Sequence, residues 1–243
     1  LNFFTDPYFG RLLKNTFLIS GLTILFGFPA PIILALMINE VKNSAFKRTV
    51  QTITYMPYFI SMVVLCGLLK TFCMQDGLFA QIAVLFGGKA QNYLANPAYF
   101  RTIYVLSDIW SGIGWNSIIY LAALSSIDQE QYEAARVDGA NRFQQMLHIT
   151  LPGLVPTIMV LFILRMGNIL NVGYEKILLL YNSATYSTAD VISTYTYRLS
   201  FGGSGNPMYS KSTAIGLFNT IINVFFLILT NMISKKATDA GLF

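Results

Sequence analysis

The chain predicts an all-α, polytopic membrane helix bundle, and three observations carry that prediction. Of its 243 residues, 54% are hydrophobic and only 11% charged, against about 25% charged in soluble domains. Several apolar stretches reach the roughly 20 residues a helix needs to cross a hydrocarbon core. A soluble all-α protein would show amphipathic stripes instead. The net charge of +5 is spread along the chain, which suits loops near anionic lipid and not a nucleic-acid surface.

Five spans are expected, at about residues 15–37, 50–72, 99–124, 154–172 and 212–233, forming one transmembrane domain over residues 1–243. The first contains Ser20, Gly21 and Gly27 and a Pro29-Ala30-Pro31 interruption, which in lipid must be satisfied by neighbouring helices. The connector after it carries Lys42, Lys47 and Arg48, a cytoplasmic signature. The second span is expected to break or kink near Pro57, because proline removes a backbone donor. The third is unusually polar, with Asp108, Trp110, Gly112, Gly114, Trp115 and Asn116. A tyrosine-rich excursion over residues 173–210 separates the fourth span from the fifth, which ends at Lys235-Lys236. Parity then puts the 39–49 connector, the 125–153 loop and the tail in the cytoplasm, and the 75–97 and 173–210 segments outside. The residues before Asn15 fall outside too, so a further helix upstream of this chain is expected.

The 125–153 loop is the most informative stretch. Asp128-x-x-Gln131 fits a helix start, Asp138-Gly139 a stop in which glycine accepts a left-handed backbone, and Asn141-x-x-Gln144 a second start that Pro152 is expected to close. The prediction is helix, turn, helix. Glu133-Ala134-Ala135, Asp138-Gly139-Ala140 and Ile149-x-Leu151-Pro152 together resemble the EAA loop of carbohydrate-type ABC importer permeases, the maltose-permease-like superfamily. Ala35-Leu36-x-x-Asn39-Glu40-Val41 and the run from Asn171 to Asn182 resemble its branch for oligosaccharides and polysaccharide fragments.

The resemblance implies a type I importer permease fold in the bacterial plasma membrane, and a subunit that is not itself an enzyme. Glu133, Ala134, Ala135, Asp138, Gly139 and Ala140 would form the coupling helix and turn that seat in an ATP-binding cassette ATPase. ATP and Mg would belong to that ATPase dimer, and this chain would hold no cofactor. Further implied partners are a second homologous permease subunit, an extracytoplasmic solute-binding protein, the lipid membrane and an oligosaccharide substrate, with no nucleic acid.

Polar groups inside membrane spans usually face a cavity or a partner. Asp108, Gly112 and Trp115 recur at helical spacing on the third span, Arg165 and Asn168 share a face on the fourth, and Asn219 and Asn223 on the fifth, so these seven are the substrate-path candidates. An indole stacks on a pyranose face, and amides offer donors and acceptors to hydroxyls. Two readings of Arg165 stand: an ion pair with Asp108, or bidentate recognition of a uronate carboxylate.

Other classes find little support. His148 is the only histidine and has no companion suited to zinc, so neither a metal site nor a histidine-based catalytic set is expected. Cys66 and Cys73 are about two helical turns apart, too far for a disulfide. The glycines from Gly202 to Gly205 are not followed directly by Lys211 as a phosphate loop requires. A permease for a non-sugar solute remains the first alternative. An ATP-independent secondary transporter is the second, and it would call for inverted repeats that the sequence does not display.

Overall fold

The computed structural model describes residues 6–202, 207–238 and 241–242, and among these every regular element is helical. The glycine-rich stretch from Gly203 to Gly205 lies outside the described residues. The helices are α1 (Phe9–Leu22), α2 (Pro29–Glu40), α3 (Ser44–Tyr55), α4 (Met62–Cys73), α5 (Leu78–Leu85), α6 (Pro97–Ser125), α7 (Gln129–Val137), α8 (Arg142–Gln145), α9 (Leu151–Met166), α10 (Tyr174–Leu180), α11 (Tyr186–Ala189), α12 (Ile192–Phe201) and α13 (Tyr209–Thr238). Among the described residues, four stretches are long and apolar enough to cross a membrane: Phe9–Glu40; Met62–Leu85, in which a turn over residues 74–77 separates α4 from α5; Arg142–Met166; and Tyr209–Lys236. At 29 residues, α6 is about 43 Å long at 1.5 Å per residue, long enough to cross but more polar than those four.

The prolines behave differently from expectation. Pro29-Ala30-Pro31 does not interrupt the first helix, because a π turn over Thr23–Gly27 carries α1 into α2. Pro152 does not close the second loop helix either, because a π turn over Met146–Thr150 carries α8 into α9. The cause is common to both. Proline lacks an N–H and its ring crowds the carbonyl one turn back, and a widened i→i+5 turn moves that carbonyl aside while leaving the helix intact. Pro57 does break the chain, into a 3₁₀ turn over Met56–Phe59. The residues expected as a second span therefore divide between two helices. One is α3, amphipathic and with no buried residue; the other is α4, whose apolar segment continues to Leu85.

Packing centres on α6. Its first half joins Ile19, Leu65, Phe100, Val172, Ile177 and neighbours in the largest apolar core, and its second half packs Tyr120 and Leu124 on Ala35 and Leu154. At Gly114 the backbone of α6 lies directly against the Thr54 carbonyl at the end of α3, so closely that no side chain fits between them. The helix expected over residues 154–172 stops at Met166. The chain then turns, and the buried amide Oδ1 of Asn223 on α13 accepts the Leu170 N–H at 3.0 Å.

The segment expected as an excursion is anchored by polar groups. The Asp190 carboxylate, 2% exposed, accepts two 2.8 Å hydrogen bonds from Arg198 and one from Thr194, with Arg11 at 3.7 Å. Burial opposes the charge on Arg198, but the hydrogen bonds and charge of Asp190 outweigh it and hold the guanidinium above its ordinary pKa. Asn15 of α1 donates to the Ser187 and Asp190 carbonyls and accepts from Arg101 of α6.

A second tie closes the N-terminal end, where Asp6 accepts from Tyr195, Lys211 and the Tyr8 N–H. Burial raises the Asp6 pKa, but these three donors prevail and bring it below 3.8. A lowered carboxylate stabilises fully above its unfolded value and loses that contribution as pH falls through the folded one. The thermal midpoint in detergent is therefore expected to hold above the ordinary value and to drop in acid. Asp6→Asn should show a smaller acid-dependent drop, and equal drops would refute the tie.

Candidate functional site

Two adjoining cavities of about 220 Å³ and 240 Å³ open between the first helix, α6 and the end of α9. Thr23, Asp108 and Arg165 line both. Gly112 and Asn116 border the first, and Tyr104 and Asn168 the second. Four of the seven path candidates, Asp108, Gly112, Arg165 and Asn168, thus come together. The π turn contributes Thr23 and Gly27 to the wall, and a Cβ on Gly112 would press on the Asn116 amide.

The expected Asp108–Arg165 ion pair is absent. Asp108 is held instead by Lys176 of α10 at 3.3 Å, and among the described residues no ion pair occupies Arg165. Lys176 is 68 positions from Asp108 on a stretch read as an excursion, so no local spacing could reveal it. The side chain of Asn168 turns back to the Leu164 carbonyl and accepts from Asn171.

The other three candidates lie elsewhere. Trp115 stacks in parallel on Tyr58 with ring centroids 4.6 Å apart and meets Phe59 edge-on. It borders neither cavity, yet its indole is partly exposed. Asn219 and Asn223 sit on α13, where Asn223 caps the turn after α9 and the buried Asn219 Oδ1 has no hydrogen-bond partner among the described residues.

At the far end of α6 the loop is helix, turn, helix. Asp128 accepts from the Glu130 N–H to start α7. The helix ends in a Schellman motif: the Ala140 N–H donates to the Ala135 carbonyl at 2.8 Å and the Gly139 N–H to Arg136 at 3.1 Å, with Gly139 at φ 81°. Asn141 and Gln144 then cap each other reciprocally to start α8, as their spacing predicted. Tyr132 bonds Thr150 at 3.0 Å, fastening α7 to the π turn, and Arg142 lies 3.6 Å from Glu40 at the end of α2. Glu133, Ala134, Asp138 and Gly139 are exposed, and Ala135 and Ala140 half-buried. Val137 (88% exposed) and Phe143 (67%) were not singled out from sequence. Their mark is apolar side chains on an otherwise polar capped loop, as at a docking surface.

Apolar helices long enough to span a bilayer, a charged cavity between them and a stiff loop projecting from one end define a multi-pass membrane transport subunit. Residues 27–239 match the family described as the binding-protein-dependent transport system inner membrane component. The chain belongs to that family and is a permease subunit of an ABC importer. It is 43% identical over 243 residues, all of this chain and 76% of the other, to protein LplB of Bacillus subtilis (strain 168). It is 41% identical over 244 residues, covering 100% of this chain and 75% of the other, to the polygalacturonan/rhamnogalacturonan transport system permease protein YteP of the same organism. Among solved structures it resembles a chain of a bacterial alginate ABC transporter in complex with an alginate pentasaccharide-bound periplasmic protein. That match has a TM-score of 0.94 and 46% identity over 99% of this chain and 83% of the other.

Proposed function

We propose that this chain is one of two homologous permeases of an importer for oligosaccharides that carry carboxylates. The observation that carries this reading is Arg165, a guanidinium lining both cavities with no ion-pair partner among the described residues. A guanidinium binds a carboxylate through two parallel hydrogen bonds. The relatives named for polygalacturonan/rhamnogalacturonan and for alginate support an acidic substrate.

In this reading residues 1–243 form one transmembrane domain in the bacterial plasma membrane, with α7 and α8 cytoplasmic. Asp108, Gly112 and Asn168 share the path wall with Arg165, and the open part of Trp115, outside those two cavities, receives a sugar ring. Asn223 braces α13 against the turn that follows α9. Glu133, Ala134 and Ala135, stopped by Asp138-Gly139-Ala140, form the knob that seats in an ATPase dimer. That dimer holds ATP and Mg and performs the hydrolysis, while a solute-binding protein delivers substrate from outside.

Reconstitution with the second permease, ATPase and solute-binding protein tests this. Uptake of a uronate oligosaccharide should require ATP, and Arg165→Gln should lower it at least about tenfold while neutral oligosaccharide uptake changes less than about threefold. Equal losses for both substrates would reject acidic selectivity, and uptake without hydrolysis would reject the importer.

A further inference from the structure

Lys176 is a basic side chain almost entirely withdrawn from solvent. Its side chain is 3% exposed; its Nζ donates to the Tyr104 carbonyl at 3.1 Å and to Asp108 at 3.3 Å, and lies 4.6 Å from the centre of the Tyr104 ring. Burying an ammonium is costly unless it is paired and hydrogen-bonded, and here it is both. Asp108, by contrast, is 42% exposed and opens onto both cavities together with Arg165. The arrangement therefore has two cations and one carboxylate, with the hidden cation claiming the carboxylate and the open cation left over.

We propose that Lys176 is the counter-charge that sets selectivity in this path: by holding Asp108 from behind, it leaves Arg165 free for the carboxylate of an acidic sugar. The inference rests on the reading of Arg165 given above and extends it to a positioning residue that touches no substrate. Without Lys176, Asp108 and Arg165 would face one another across the cavities as unpaired opposite charges. Their attraction would occupy the guanidinium and leave no net positive charge to draw in an acidic substrate. With Lys176 in place the wall carries one net positive charge.

The test uses the reconstituted importer with uronate and neutral oligosaccharides of equal length. Lys176→Met should raise the KM for the uronate substrate at least about tenfold, with kcat and neutral uptake within about threefold of wild type. Adding Asp108→Asn removes the competing carboxylate, so the Lys176→Met/Asp108→Asn pair should lower the uronate KM at least about threefold from that of the single variant. An unchanged KM in the single variant, or a double variant as poor as the single, overturns the proposal. If Lys176→Met fails to assemble, Lys176→Gln, which keeps a hydrogen-bonding head group, takes its place: a raised uronate KM supports the role and an unchanged one refutes it. Arg165→Gln separates the two readings. If it impairs both substrates equally, the Arg165 reading fails and this one falls with it. If it is selective while the double variant is not rescued, only the role of Lys176 is rejected.

Discussion

Gly139→Val is expected to reduce uptake by about fivefold to 150-fold, the factor that 1–3 kcal/mol of backbone strain represents, while the chain still reaches the membrane. Gly139 adopts φ 81°, a region in which a β-branched residue is an outlier. Relief of the strain unmakes the two Schellman bonds that end α7 and redirects the helix relative to the capping box one residue further on. Asparagine tolerates the same conformation, so Gly139→Asn should retain most of the uptake. The paired measurement is transport per inserted chain together with ATPase activity of the assembled complex. Full transport by the valine variant would mean that the direction of α7 does not matter to coupling.

Arg198→Met is expected to destabilise the protein by about 3–5 kcal/mol, the cost of leaving a buried carboxylate without its partner. Asp190 is 2% exposed and loses both of its 2.8 Å guanidinium bonds; Arg11, at 3.7 Å and itself partly exposed, replaces them poorly. The damage should spread, because the same corner holds the Asn15 contacts that join α1 to the segment before α12. Thermal unfolding in detergent measures the loss. Asp190→Asn/Arg198→Met removes both charges and should recover much of the midpoint; a double variant no better than the single would argue against charge isolation as the cause.

What could be read from the chain beforehand divides along physical lines. Local chemistry was legible: apolar length announced the bundle, Asn141 and Gln144 announced a capping box, and Asp138-Gly139 announced a helix stop. These signals lie within a few residues of the structure they form. Proline was only half legible. Its missing donor is written in the sequence, but a helix answers that loss either by breaking, as at Pro57, or by widening, as before Pro29 and Pro152, and the answer depends on what packs around it. Lys176 was not legible at all. It sits on a stretch whose tyrosines suggested an aqueous surface, and its partner lies 68 residues away. Asn223 was legible as a polar residue in a span, but its task of receiving the Leu170 N–H exists only once the turn after α9 has formed.

The contact at Gly114 has a kinematic consequence. Sliding α6 along α3 by one helical turn would bring Trp110 or Ile118 to the Thr54 carbonyl, where even a methyl group has no room. The joint therefore has a single register, and α3 and α6 behave as one beam. Displacing α6 is therefore expected to carry α3 with it, so that the two move together and not past one another.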